Sequence, residues 1–220
     1  MALPPEIADW FAGRGWTVRR HQSEMLTAAD EGHHALLVAD TGAGKTLAGF
    51  LPTLAAFTAT RLKGAMPPDG LHTLYVSPLK ALAHDVQRNL MTPIDEIGLP
   101  IRVETRSGDT PSERKARQRA RPPHVLLTTP ESLSLLLSYP ESAAMFAGLQ
   151  RIVIDEVHAF AAGKRGDLLA LALGRIAAVA PHARRAALSA TLASPQDYRQ
   201  WLAPGGDAGN VVLVEGEQGA

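Results

Sequence analysis

Apolar residues in this chain gather into short unbroken runs: "HALLVA" (34–39), "HTLYVS" (72–77), "IRVET" (101–105), "HVLLTT" (124–129), "RIVIDE" (151–156), "RAALSA" (185–190) and "NVVLVE" (210–215). Runs this short and rich in β-branched residues predict strands buried on both faces. Between most of them lie longer stretches with apolar residues at helical spacing, over 45–60, 79–97, 130–137, 167–179 and 195–202. The alternation predicts a three-layer, doubly wound α/β domain, a mostly parallel sheet with helices on both faces. Right-handed crossovers then put ligand sites at the carboxyl ends of the strands.

Residues 1–31 read as two short helices ahead of the first strand, and 32–204 as the α/β domain itself. The Gly-rich tail, 205–220, reads as an edge strand or the start of a linker, and "LKGAMPPDG" (62–70) as an exposed loop. With 220 residues and 45% hydrophobic content the chain can bury one substantial core. It has no cysteine, which excludes disulfides and thiolate metal sites. The start, "MALPPEIADW", carries acid and proline where a secretory signal needs a basic end and an apolar run. No apolar stretch approaches membrane-spanning length, so the expectation is a soluble, cytoplasmic protein without a membrane partner. Lys plus Arg equals Asp plus Glu at 22 each, so any nucleic-acid binding must come from local arrangement rather than bulk charge.

Immediately after the first strand comes "ADTGAGKT" (39–46). Gly42 and Gly44 permit a turn tight enough for successive backbone N–H groups to converge on a phosphate. Lys45 supplies positive charge to β- and γ-phosphates, the Thr46 hydroxyl suits Mg²⁺, and the following helix adds its N-terminal dipole. The usual pattern begins with glycine where this chain has Ala39. A loose match alone would fit a glycine-rich turn that binds nothing; its place between a buried strand and a helix argues for the phosphate loop.

"RIVIDE" stops on two adjacent carboxylates, which are costly to bury unless paired, hydrogen-bonded or metal-bound. Alone, that end reads better as a strand reaching the surface. With a phosphate loop on an earlier strand, it reads as a P-loop nucleotide-hydrolase fold in which Asp155 reaches Mg²⁺, directly or through water. Glu156 would then orient and deprotonate the attacking water.

"DEVH" (155–158), with "LSAT" (188–191) closing a later strand, resembles the superfamily 2 DEXH-box helicases. "RRHQ" (19–22), "SPLKALAHDVQRNL" (77–90), "RSGDT" (106–110), "TTPESL" (128–133) and "GKRGD" (163–167) are similar to the Lhr (large helicase-related) branch. "LPPEIADWFAGRGW" (3–16) and "GLHTLYVSPLKALA" (70–83) are closest to the bacterial ligase-associated DNA-damage-response DEXH-box helicases. The resemblance covers nearly all of 3–203 and implies a RecA-like domain using ATP and Mg²⁺. It implies that Gln22 contacts adenine and that Thr41, Gly42, Ala43, Gly44, Lys45 and Thr46 cradle the phosphates. Asp155 and Glu156 would bind magnesium and activate water. His158, with Ser189 and Thr191, would couple nucleotide state to the grip on nucleic acid.

"SPLKAL" and "TTPESL" share a strand, a hydroxyl residue and a proline, which is a helix-start signal that leaves N–H groups free for an anion. "DTPSER" and "ASPQDY" start the same way, so local chemistry leaves the assignment open. The resemblance favours Ser77, Pro78, Thr129, Pro130 and Glu131 as backbone contacts for nucleic acid, with Lys80 and Arg106 as helpers. The cluster Arg114, Lys115, Arg117, Arg119 and Arg121 reads as a solvated helix face. Trp10, Phe11 and Trp16 precede Gln22, which would let one of them pack near the adenine, but core packing is the better reading of each.

Superfamily 2 motors close ATP between two RecA-like domains, and the motifs present belong to the first. Nothing after Thr191 supplies an arginine finger, a group that contributes roughly 10³–10⁵ in rate. The chain alone is therefore expected to bind Mg·ATP weakly, hydrolyse it poorly and unwind nothing. The implied partners are single-stranded DNA or an RNA–DNA hybrid, a second RecA-like domain of the same chain, and a DNA-repair ligase and nuclease. The implied movement is 3′ to 5′. A stand-alone P-loop ATPase or nucleotide switch, and a non-catalytic binding module, are the competing readings.

Overall fold

The computed structural model describes residues 3–78, 80–160 and 163–216, with side chains given except at 80–85 and 87–89. Strands β1 (His34–Val38), β2 (Thr73–Val76), β3 (Val103–Arg106), β4 (Val125–Thr128), β5 (Arg151–Ile154), β6 (Arg184–Ser189) and β7 (Val211–Glu215) form one sheet, in the order β3-β4-β2-β5-β6-β1-β7. Every pairing is parallel. The seven apolar runs are thus the seven strands, and the sheet is wholly rather than mostly parallel.

Unbroken apolar runs follow from cover on both faces. On β5, Val153 joins the core layer beneath helices α1 (Pro5–Gly13), α2 (Arg20–Asp30), α3 (Lys45–Leu62) and α4 (Lys80–Ile97). Its neighbours Ile152 and Ile154 point the other way, into a layer shared with α6 (Pro130–Leu137), α7 (Ser142–Phe146), α8 (Lys164–Val179) and α9 (Pro195–Leu202). Leu37 and Leu36 of β1 divide in the same manner. Helix α5 (Ser112–Ala120) buries only Gln118 and otherwise faces solvent, as its charge run predicts.

Two close approaches place the functional loops. A Cβ on Gly49 of α3 would lie 2.9 Å from Leu188 and 3.2 Å from Val153, so α3 rests directly on β5 and β6. That contact sets the loop before α3 beside the ends of both strands. Helix α8 begins at Lys164, three residues before the expected 167. Gly166 lies inside its first turn because a Cβ there would come within 2.0 Å of the Phe160 carbonyl oxygen. The glycine marks contact between two backbones, not a helix boundary. Among the described residues no helix is long and apolar enough to cross a membrane.

Candidate functional site

Between β1 and α3 the chain turns through Gly42 (φ 82°) and Gly44 (φ 79°), left-handed conformations that suit glycine. Lys45 is buried, and its Nζ donates to the Asp40 carbonyl at 2.9 Å. From outside, His21 Nε2 donates to the Ala43 carbonyl at 3.0 Å, so α2 props the loop. Gln22 is also buried: its Oε1 accepts the Arg19 N–H at 3.0 Å, and its amide nitrogen lies 3.1 Å from where a Gly44 Cβ would be. The structure therefore brings Gln22 against the back of the loop.

Asp155, at the end of β5, is 5% exposed. Its Oδ2 accepts the Tyr75 hydroxyl at 2.7 Å and its Oδ1 accepts the Glu156 N–H at 3.0 Å. Burial pushes the Asp155 carboxyl above its ordinary range; the Tyr75 hydrogen bond and the Lys45 charge oppose the rise, and Glu156 adds to it. The Tyr75 hydroxyl is held well above its ordinary pKa by burial and then by the Asp155 charge. It stays a proton-bearing donor. Glu156 has φ 49°, a left-handed conformation adopted by no other non-glycine among the described residues. Strain of this kind concentrates at functional turns.

From Glu156 a polar path leads to β6. Glu156 Oε2 lies 3.4 Å from His158 Nδ1, which lies 2.9 Å from Ser189 Oγ. Ser189 donates its one proton to the Thr191 carbonyl at 3.2 Å, so His158 Nδ1 must be the donor to Ser189. Thr191 thus enters through its carbonyl, not its hydroxyl.

Thr41, Gly42, Gly44, Lys45 and Thr46 share with Asp155 and Glu156 a cavity of about 470 Å³. Its far wall is Trp10, Arg14 and Trp16 from the N-terminal segment, which corrects the expectation for two of the three aromatics. Phe11 is core, but Trp16 is 51% exposed and Trp10 only partly buried. Arg14 lies against both indoles, 5.0 and 5.3 Å from their centroids, and pairs with Glu96, which also accepts the Trp10 Nε1–H.

A second cavity, of about 710 Å³, opens at the ends of β2, β3 and β4. Thr129 caps α6, its hydroxyl accepting the Ser132 N–H at 3.4 Å, with Pro130 in the first helical turn. Ser194 caps nothing, and Thr110 instead accepts the Ser107 N–H, so the similar starts at 110 and 194 differ in geometry. Ser77 is buried with no hydrogen-bond partner for its hydroxyl among the described residues. The Lys80 side chain lies outside the described residues.

Arg106, the other expected helper, is 1% exposed. Its Nη1 donates to the Lys115 carbonyl and to Gln118 Oε1, holding α5 to the sheet edge, while Nη2 has no hydrogen-bond partner among the described residues and the side chain lines the cavity. Glu131 is engaged too. Arg165 Nε donates to it at 2.6 Å, and Arg165 Nη2 reaches both Glu131 (3.3 Å) and the Pro78 carbonyl (2.7 Å). Although partial burial would raise the Glu131 pKa, Arg165 holds it below the ordinary range.

Tyr75, His21 and Arg165 are the residues sequence reasoning missed as parts of these sites. Tyr75 carried a usable signal: a buried phenol in an otherwise apolar run needs a partner for its hydroxyl.

A protein-family model described as DEAD/DEAH box helicase matches residues 19–198. Over 205 residues the chain is 41% identical to a Lhr helicase of Mycolicibacterium smegmatis, covering 88% of this chain and 13% of that protein. It is 37% identical over 200 residues to the ATP-dependent helicase Lhr-Core protein 2 of Thermococcus barophilus, covering 86% of this chain and 23% of the other. Mycobacterium smegmatis helicase Lhr, solved bound to ssDNA and AMP-PNP, superposes with a TM-score of 0.84 at 38% identity, over 97% of this chain and 28% of that one. The chain spans less than a third of each of these relatives.

Proposed function

This chain belongs to the DEAD/DEAH box helicase family, and from that premise we propose that it is the first RecA-like half of a Lhr-type motor. Such a motor hydrolyses ATP to move along single-stranded DNA or an RNA–DNA hybrid. The observation that carries the reading is the shared cavity: Lys45, Thr46, Asp155 and Glu156 face one space, and His158 leads away from it to β6. The related Mycobacterium protein, solved with ssDNA and AMP-PNP, supports both ligands.

The donor set fits Mg²⁺. It consists of oxygen alone, from Thr46, Asp155 and Glu156, and Glu156 Oε2 is buried with no hydrogen-bond partner among the described residues. Among those residues no three His, Cys, Asp or Glu side chains cluster to cage an ion. One or two carboxylates completed by a nucleotide's phosphates is the arrangement Mg²⁺ prefers. When bound, the ion would offset charge on the phosphates. Thr46 and Asp155 would hold it, Lys45 would turn from Asp40 to the phosphates, and Glu156 would orient a water and take its proton. In the second cavity, the turn at Ser77–Pro78 and the helix start at Pro130 would meet a nucleic-acid backbone.

In this reading residues 1–31 carry the adenine-reading Gln22, 32–204 form the ATP-binding domain, and 205–220 are an edge strand or the start of a linker to a second half. The pairing of β7 with β1 supports the edge strand. Movement 3′ to 5′, a DNA-repair role and ligase or nuclease partners rest on family likeness alone. Without a second half, the chain is expected to turn ATP over slowly. The test is ATP turnover by the longer chain, with and without single-stranded DNA, beside Glu156→Gln. Strand-stimulated turnover that falls by about 10² or more in the variant, with nucleotide binding kept, is the expected result. Turnover indifferent to the strand would favour a stand-alone ATPase instead.

A further inference from the structure

We propose that Tyr75 is a positioning residue for the metal site, fixing the Asp155 carboxylate so that it faces a Mg²⁺ ion held with Thr46. The inference rests on the Mg²⁺ reading above. Strand β2 lies between β4 and β5, and Tyr75 pairs in register with Val153, two residues before Asp155. Both side chains enter the core layer beneath α3, the helix that carries Thr46 in its first turn. The ring is fully buried, so its hydroxyl has the carboxylate as its partner in place of water.

The proton count gives the arrangement a direction. The phenol spends its single proton on Asp155 Oδ2 at 2.7 Å. That leaves further lone pairs on the carboxylate oxygens for a cation. Asp155 is fixed from two sides, by Tyr75 at Oδ2 and by the Glu156 N–H at Oδ1. A phenylalanine would fill the same space without the tie. Groups that orient metal ligands from behind typically change metal affinity by about 10–100-fold when removed.

The test is Tyr75→Phe in the longer chain, read by titrating Mg²⁺ into a fluorescent ADP analogue bound to the protein, with an EDTA baseline. The expected result is an unchanged affinity in EDTA and a half-saturating Mg²⁺ concentration raised about 10-fold or more. Equal Mg²⁺ dependence in both proteins overturns the proposal alone. A wild-type protein with no Mg²⁺ dependence overturns the metal reading and the proposal together. Should the variant fail to fold, 3-fluorotyrosine in the wild-type protein serves, with Tyr139 and Tyr198 as internal references. The Tyr75 ¹⁹F resonance must shift when Mg²⁺ joins bound nucleotide, and a resonance that stays in place overturns the proposal.

Discussion

The two cavities at the carboxyl edge of the sheet handle charge in opposite ways. Around the loop before α3, Lys45 donates to a backbone carbonyl, and among the described residues the two acids meet no Lys or Arg at salt-bridge distance, so charge is left for an incoming ligand. In the groove beneath β2 to β4, Glu131 is closed by Arg165, and Arg106 is largely committed to holding α5. Lys115 also lines this groove, its Nζ donating to the Gly108 carbonyl, so Arg106, Lys115 and Arg165 outweigh Glu131 there. A chain with equal numbers of acids and bases thus presents one site where acids and bases stand apart and balance, and one whose lining is net positive.

The sharpest way to break this comparison is Lys45→Ala. Nucleotide affinity should fall by about 100-fold or more in a fluorescence titration, because charge-assisted contacts to phosphate have no substitute in the loop. Single-stranded DNA affinity without nucleotide should change less than twofold; a large change would mean the two sites share their charge after all. The converse is Arg165→Ala, which leaves Glu131 uncompensated in the groove. Single-stranded DNA affinity should drop about 10-fold, in line with loss of a charged hydrogen bond of roughly 1.5–3 kcal/mol. Nucleotide affinity should be unmoved.

A third test concerns what both sites stand on. Burial, then nearby arginines, lowers His34 and His72 to about 4 each. His34 must stay unprotonated at Nδ1 to accept the Arg185 N–H at 2.9 Å. Below the ordinary value near 6.5 the unfolded chain takes up protons that the native chain refuses. Native stability is thus full above pH 6.5 and declines toward pH 4, by at most about 1.4 kcal/mol per pH unit per histidine. Urea midpoints measured across that window should fall in step with both ligand affinities. A midpoint independent of pH would contradict the neutral state assigned to these histidines.

The strands were legible because cover on both faces writes itself as unbroken apolar runs, and the phosphate loop because its glycines and lysine answer to local backbone demands. Asp155 and Glu156 were legible as a break in such a run. Contacts made across the fold were not. Tyr75 reads as one more strand residue until β5 is set beside it, and Trp16 reads as core until the cavity it borders is seen. Arg106 reads as a helper for nucleic acid, and only the fold shows that it also holds α5. The start of α8 was hidden because glycine usually signals an end, whereas Gly166 is there to let another backbone in.

That last contact has a mechanical consequence. A peptide carbonyl resting against a helix, with no side chain between them, has no clearance to take up. The turn that follows the acidic pair and the first turn of α8 must therefore travel together. Arg165 sits on that turn of α8, gripping two loops of the groove. A displacement begun at His158 would reach it with little lost on the way.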